Sequence, residues 1–285
     1  PALAELSQVT MLRADHPSSY GSVPLPRARA GAERFARRAI ALDPNLGEAH
    51  AALGFLYLSD SKSEPHYRRA VQLAPQRPEF HRWRGQALIS LHRFDEALEE
   101  YRRAVAIDPL WGLNYEHLAG AYYLLGREEE GRRTIARFLA LSTDQRAKLQ
   151  LRFALAKLEE RKADALRFAS QLAEAYPEER QMRFGHASVL AVLGERRDAA
   201  KLMASDPVAA AILRGDWPAM AAAARRMGPD YWDYGPRLWN LGPLLLATGH
   251  GDLIVALYDE ARPLLRDNTF DIDDFGRPET VLALR

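Results

Sequence analysis

An all-α array of antiparallel helical hairpins is predicted, and three observations predict it. A nonapeptide recurs, as RRAIALDPN at 37–45, RRAVQLAPQ at 68–76 and RRAVAIDPL at 102–110, at intervals of 31 and 34 residues. Around it the apolar residues fall at helical spacing, as Ala97, Tyr101, Ala104 and Val105 do at i, i+4, i+7 and i+8. Each copy then meets a proline (Pro44, Pro75 or Pro109), which lacks the N–H that a continuing helix needs. Self-similarity at this period decides a fold before local propensities do, because a hairpin that cannot bury both apolar faces alone buries them by stacking on a copy of itself.

In chain order, the first hairpin (1–46) pairs Ala2–Leu12 with a helix carrying Ala32, Ala36 and Ala39 and ending at Pro44. Its connection, ADHPSSYGSVPLPR, is an enlarged turn rich in Pro and Ser rather than a domain linker. Residues 78–111 give the clearest unit: Trp83, Ala87 and Leu91 make a first helical face, LHRFD a turn, and the nonapeptide belongs to the second helix. Residues 47–77 and 112–145 follow the same plan, the former three residues short in its SDSKSEP turn.

These units resemble tetratricopeptide repeats, whose spacing is W-x₂-L-G-x₂-Y, then A-x₃-F, then P within 34 residues. Residues 78–111 match at Gly85, Ala97, Tyr101, Ala104 and Pro109, with Leu88 where an aromatic is usual and Arg84 in place of the usual Leu. Residues 47–77 match at Leu53, Gly54, Tyr57, Tyr67, Ala70 and Pro75. Residues 112–145 match at Leu118, Ala119, Tyr122 and Gly126, but Gly131 and Phe138 stand where alanines are expected, so the second helix is atypical. Gly54 and Gly85 are expected to leave room for the facing helix while large neighbours fill the grooves beside them. The resemblance implies a right-handed superhelix.

Downstream the pattern fades, and 146–285 is expected to hold degenerate repeats and a cap. Ala154, Ala165, Ala169 and Pro177 keep one unit; Gly194 with Ala199, and Gly215 with Asp216 and Trp217, look like turns of two shortened hairpins. GPDYWDYGPR at 228–237 interrupts, a last unit runs over about 235–268, and 278–284 forms a terminal helix. The alternative is a compact helical domain in this half.

Composition narrows function mainly by exclusion. Lys+Arg number 39 against 38 Asp+Glu, a net charge of +1, without the basic excess that phosphate-backbone binding shows, so nucleic acid is not an expected partner. The absence of cysteine removes disulfides and thiolate chemistry and fits a reducing, cytoplasmic setting. No apolar run approaches the ~20 residues that span a bilayer, so no membrane is expected. The N-terminal stretch does not read as a signal peptide. The chain starts at Pro1, which leaves open a missing native start with any targeting segment or further domain.

No catalytic constellation is found, and neither enzyme activity nor a cofactor is expected. GHGDLI at 249–254 has two of the three glycines of a phosphate loop and no strand before it, and reads as a turn. Histidines at 16, 50, 66, 81, 92, 117, 186 and 250 form no HExxH pair and are expected on the surface or in the groove. Counted from Asp271, the acidic stretch Asp271, Asp273, Asp274 has Gly276 at the sixth place of a calcium loop but Leu282 at the twelfth, so a solvated loop pinned by Phe270, Ile272 and Phe275 is favoured.

What remains is a non-enzymatic scaffold binding a peptide or partner helix in its concave groove. First helices line the concave side of such a stack, and helical phase puts there Glu48, Ala51, Phe55, Leu58, Arg82, Gln86, Ile89, Glu116 and Tyr123. Two readings stand for Phe55, Leu58 and Tyr123: contact with a partner, or packing on the neighbouring repeat. One branch of the family grips a C-terminal carboxylate with lysine and asparagine at two first-helix positions. Here those hold Ala51 and Phe55, Arg82 and Gln86, Glu116 and Gly120, so that clamp is missing and an extended or helical peptide with apolar anchors fits better. The aromatics Trp217, Tyr231, Trp232, Tyr234 and Trp239 read as an internal plug or a second surface. The alternative function is the C-terminal sensory region of a larger bacterial signalling or transcriptional regulator. Uncapped end faces leave homodimerisation open.

Overall fold

The computed structural model describes residues 1–15, 25–57 and 62–227. The SDSKSEP turn falls partly outside that span. Wholly outside it lie most of the first connection, Leu58, the aromatics from Tyr231 to Trp239, the 235–268 unit, the Asp271 stretch and the terminal helix. Fourteen α-helices and no strand occur among the described residues.

They come as hairpins: α1 (Ala2–Asp15) with α2 (Leu25–Leu42), α3 (Gly47–Leu56) with α4 (Ser63–Leu73), α5 (Pro78–Ser90) with α6 (Phe94–Ile107), and α7 (Gly112–Leu124) with α8 (Glu128–Leu141). Then follow α9 (Gln145–Leu158) and α10 (Lys162–Ala175), α11 (Arg180–Val192) and α12 (Arg196–Leu202), and α13 (Pro207–Arg214) and α14 (Trp217–Met227). The described chain forms two compact units divided inside α9, between Leu151 and Arg152. Within the first unit each helix from α1 to α7 packs on its successor; within the second the same holds from α10 to α13.

The nonapeptide's ending has a local cause. The Asn45 N–H donates to Asp43 Oδ1 at 3.0 Å and the Leu110 N–H to Asp108 Oδ1 at 3.1 Å. The side chain thus closes an Asx turn around a proline that has no N–H to satisfy. Inside the hairpins the turn is also fixed. His92, Gly126, Glu160 and Gly194 adopt φ of 58°, 68°, 55° and 87°, which places a left-handed residue at every 34th position. The following N–H then reaches back five residues: Arg93 to the Leu88 carbonyl (2.9 Å), Arg127 to Tyr122 (2.8 Å), Arg161 to Ala156 (2.8 Å) and Glu195 to Leu190 (2.9 Å). This bond closes a helix end that a left-handed residue has turned. The backbone period therefore continues to Glu195, although the side-chain pattern weakens after 145.

Gly54 and Gly85 are contact points between helices. A Cβ at Gly54 would stand 2.7 Å from the Tyr67 ring, and one at Gly85 would stand 2.5 Å from the Tyr101 ring. The atypical α7–α8 pair inverts the device. Tyr123 of the first helix lies over Gly131 of the second, where a Cβ would stand 2.5 Å from its ring. Gly131 is thus the complement of a large Tyr123, and the same close approach is kept with the partners exchanged.

The core runs through the stack as small clusters between neighbours. Ala51, Ala70, Val71 and Phe80 join α3, α4 and α5, and Ala32, Ala36, Ala52, Leu53 and Leu56 join α2 to α3. In the second unit, Phe184, Ala187, Met203, Val208, Ile212, Leu213 and Met220 share one cluster, with Trp217 half-buried against it.

Candidate functional site

The residues expected to meet a partner lie on α3, α5 and α7, the first helices of three successive repeats, and the structure treats them unequally. Ala51 is fully buried between α4 and α5 and has no surface to offer. Phe55 is half-buried and packs on the α2–α3 cluster, so much of its ring serves the neighbouring repeat. Tyr123, also half-buried, spends one face on Gly131. Glu48 pairs with Arg77 at 3.2 Å, and Arg77 also holds Glu79, at 2.6 Å from its Nε, so one guanidinium is shared by carboxylates from two repeats. Gln86, Ile89 and Glu116 are half-buried. Gly120, in the same helical row as Phe55 and Gln86, faces open space: a Cβ there would touch nothing within 4 Å.

Arg82 is the exception among the charged groups. It is 9% exposed, and its guanidinium carbon lies 5.7 Å from the Trp83 ring centroid and 4.8 Å from that of Trp111, the last residue of the same repeat, just before α7. Cation–π contact stabilises it. Its Nε, however, is buried with no hydrogen-bond partner among the described residues, as is the Tyr67 hydroxyl, whose ring lies 6.0 Å from that of Trp83. Burial lowers the Arg82 pKa, while Tyr101, Glu79 and Tyr67 oppose this; a guanidinium remains charged in any case. His117 stacks on Tyr101 at 5.4 Å, and burial together with the Arg82 charge pushes its imidazole down to about 4, leaving it neutral near pH 7.

The departure at Arg84 is explained by a buried ionic cluster that sequence reading missed. Arg84 donates to Glu64 Oε1 at 3.2 Å and to Glu100 Oε1 at 2.9 Å, and His81 Nδ1 lies 2.6 Å from Glu100 Oε2. The other His81 nitrogen faces the Pro75 carbonyl at 2.9 Å. Burial would raise the Glu100 pKa, but the bond from His81 and the charges of Arg84 and Arg103 outweigh it and hold the carboxyl below its ordinary value. His81 is only 3% exposed, which corrects the expectation that the histidines lie on the surface or in the groove. Both of its nitrogens are committed to structure. One signal was available: His50 and His81 occupy equivalent positions, and each faces the carbonyl of the proline six residues earlier, at 3.1 and 2.9 Å.

Among the described residues no group of three or more metal-ligating side chains is assembled, and no helix is long and apolar enough to cross a membrane. The comparisons agree with the geometry. Residues 78–111 match the family model described as tetratricopeptide repeat. A thermophilic TPR protein of Thermus thermophilus superposes over 65% of this chain and 98% of its own, at 20% identity and a TM-score of 0.50. Residues 78–111 form a tetratricopeptide repeat, and the chain has the fold of tetratricopeptide-repeat proteins. Two Arabidopsis thaliana proteins share shorter stretches with this repeat protein. The TPR repeat-containing thioredoxin TTL4 is 37% identical over 67 residues, and the inactive TPR repeat-containing thioredoxin TTL3 is 38% identical over 69. Each match covers 24% of this chain and 10% of the relative, so it spans about a tenth of those proteins' length. The architecture of the repeats is that of a protein-interaction scaffold.

Proposed function

We propose that the first-helix row of the 1–151 unit is a concave groove that binds an extended or helical peptide of a partner protein through apolar anchors, without catalysis. The observation that carries this reading is the gap at Gly120. A glycine within a helix costs about 1 kcal/mol relative to alanine, and here no neighbour repays it, since a Cβ would meet nothing. The equivalent positions in the two preceding repeats hold Phe55 and Gln86. A row that is filled, half-filled and then empty leaves a place for one partner side chain, beside the half-buried Tyr123 and Glu116 on the same helix. Burying one such side chain supplies roughly 1.5–3 kcal/mol, and several anchors along the row give affinity for a segment rather than for a terminus.

The test is a selection of displayed peptides on the purified chain, followed by titration of the enriched sequences against the wild type and Gly120→Phe. Gly120→Phe fills the gap and is expected to weaken the selected peptides by tenfold or more with the unfolding temperature unchanged. Enrichment of no peptide, or equal binding to Gly120→Phe, would defeat the proposal.

A further inference from the structure

We infer that Arg82 is the receptor for a carboxylate of the bound peptide, so that the partner presents an acidic group between apolar anchors. This deepens, and rests on, the groove reading above. A guanidinium is a five-donor cation that does not give up its proton, and when buried it is ordinarily held by a carboxylate or by carbonyls. Arg84 on the same helix obeys that rule, since Glu64 and Glu100 share it. Arg82 is 9% exposed, and its buried Nε has no hydrogen-bond partner among the described residues.

The acidic groups within reach of its field do not answer it. Glu79 is engaged by Arg77 at 2.6 Å, and Arg77 also takes Glu48. The remaining surroundings suit an anion. The Trp83 and Trp111 rings lie 5.7 and 4.8 Å from the guanidinium carbon and flank the fork, and the low exposure of Arg82 strengthens any charge–charge contact made there. The buried Tyr67 hydroxyl nearby is a second polar group without a partner. His117, neutral near pH 7, adds no competing charge. A planar carboxylate is the oxyanion a guanidinium fork receives in two parallel bonds. It differs from the lysine and asparagine grip of the terminus-binding branch, whose residues this chain lacks.

The test uses the full chain and three capped tripeptides: Ac-Phe-Asp-Phe-NH2, its Asn counterpart, and Ac-Phe-Gly-Phe-OH with a free terminus. Binding is followed through the indole N–H resonances of Trp83 and Trp111. The Asp peptide is expected to shift both resonances and to bind roughly 10- to 100-fold more tightly than the Asn peptide, the range of a charge-assisted pair. Arg82→Gln is expected to abolish that preference, and Arg82→Lys to retain part of it. Because the buried Nε has no partner, Arg82→Gln is also expected to leave the unfolding temperature unchanged or raised, whereas an arginine present only for packing would lower it. Binding of the free-terminus peptide alone would assign the carboxylate to a chain end and overturn its placement between apolar anchors. Equal binding of the Asp and Asn peptides, survival of the preference in Arg82→Gln, or no shift with either carboxylate peptide would overturn the inference. In the first two cases, peptides from the selection would still bind; failure of those as well would remove the groove reading itself.

Discussion

Gly85→Ala adds one methyl group where the structure has no room for it. The new Cβ would lie 2.5, 2.8 and 2.9 Å from three carbons of the Tyr101 ring, against about 3.5–4.0 Å for relaxed carbon contacts. That ring cannot easily withdraw: it is 2% exposed and is stacked on His117. α5 and α6 must therefore part by roughly 1 Å, or the ring must leave its rotamer, and such overpacking costs about 1–3 kcal/mol. Alanine offsets part of this by its better helix propensity, about 1 kcal/mol. Gly120→Ala supplies the same propensity gain without the clash, since nothing lies within 4 Å of its Cβ. The difference between the two variants therefore isolates the packing cost. Gly120→Ala is expected to stabilise by up to about 1 kcal/mol, and Gly85→Ala to fall about 1–3 kcal/mol below it. Urea unfolding followed by far-UV circular dichroism measures both, and amide exchange in α5 and α6 localises the loss, which matters because repeat arrays depart from two-state unfolding. Equal stabilisation by the two substitutions would refute the claim that Gly85 is kept small by Tyr101.

Two further outcomes are expected. His92→Gly and Glu160→Gly, which relieve left-handed residues carrying a Cβ, are expected to raise stability by up to about 1 kcal/mol each, and Gly126→Ala to lower it by a similar amount; thermal unfolding of the three variants checks the sign. His117 has a folded pKa of about 4, below its unfolded value near 6.5, so its stabilising contribution is complete above the latter and is lost as pH falls through the former. The unfolded state takes up the proton first, and the loss reaches on the order of 2 kcal/mol by pH 5. The urea midpoint of the wild type should therefore fall between pH 7 and pH 5 more steeply than that of His117→Gln; parallel profiles would show that His117 is not held neutral.

Much of the scaffold was legible before any coordinates. Helical phase separated buried Ala97, Tyr101 and Ala104 from the exposed residues between them, and the room left at Gly54 and Gly85 for the facing helix followed from the family spacing, whereas the Tyr67 and Tyr101 rings that occupy it are seen only in the structure. Gly131 looked like a defect because the pattern was read one helix at a time; only the ring of Tyr123 above it shows the exchange. His92 and Glu160 hid the regularity of the turns, because a left-handed position is signalled in sequence by glycine and these two positions hold other residues. The row of expected contact residues was legible only as a face. Phase put Ala51 and Arg82 on one stripe, but phase does not say that the next helix closes over the first and leaves the Nε of the second without a partner.

The sequence by itself determined the helices, their pairing into hairpins and the period on which they stack, because a helix face, a proline and a close-packed glycine act within one repeat and are written in consecutive residues. Tertiary structure alone decided which polar groups are satisfied. Arg84 meets Glu64 and Glu100, and His81 meets Glu100, across separations of 16 to 20 residues, while Arg82 on the same helix lies against the Trp83 and Trp111 rings. The cost of a buried charge depends on what lies within about 3 Å of it in space, and a one-dimensional period carries no record of that distance.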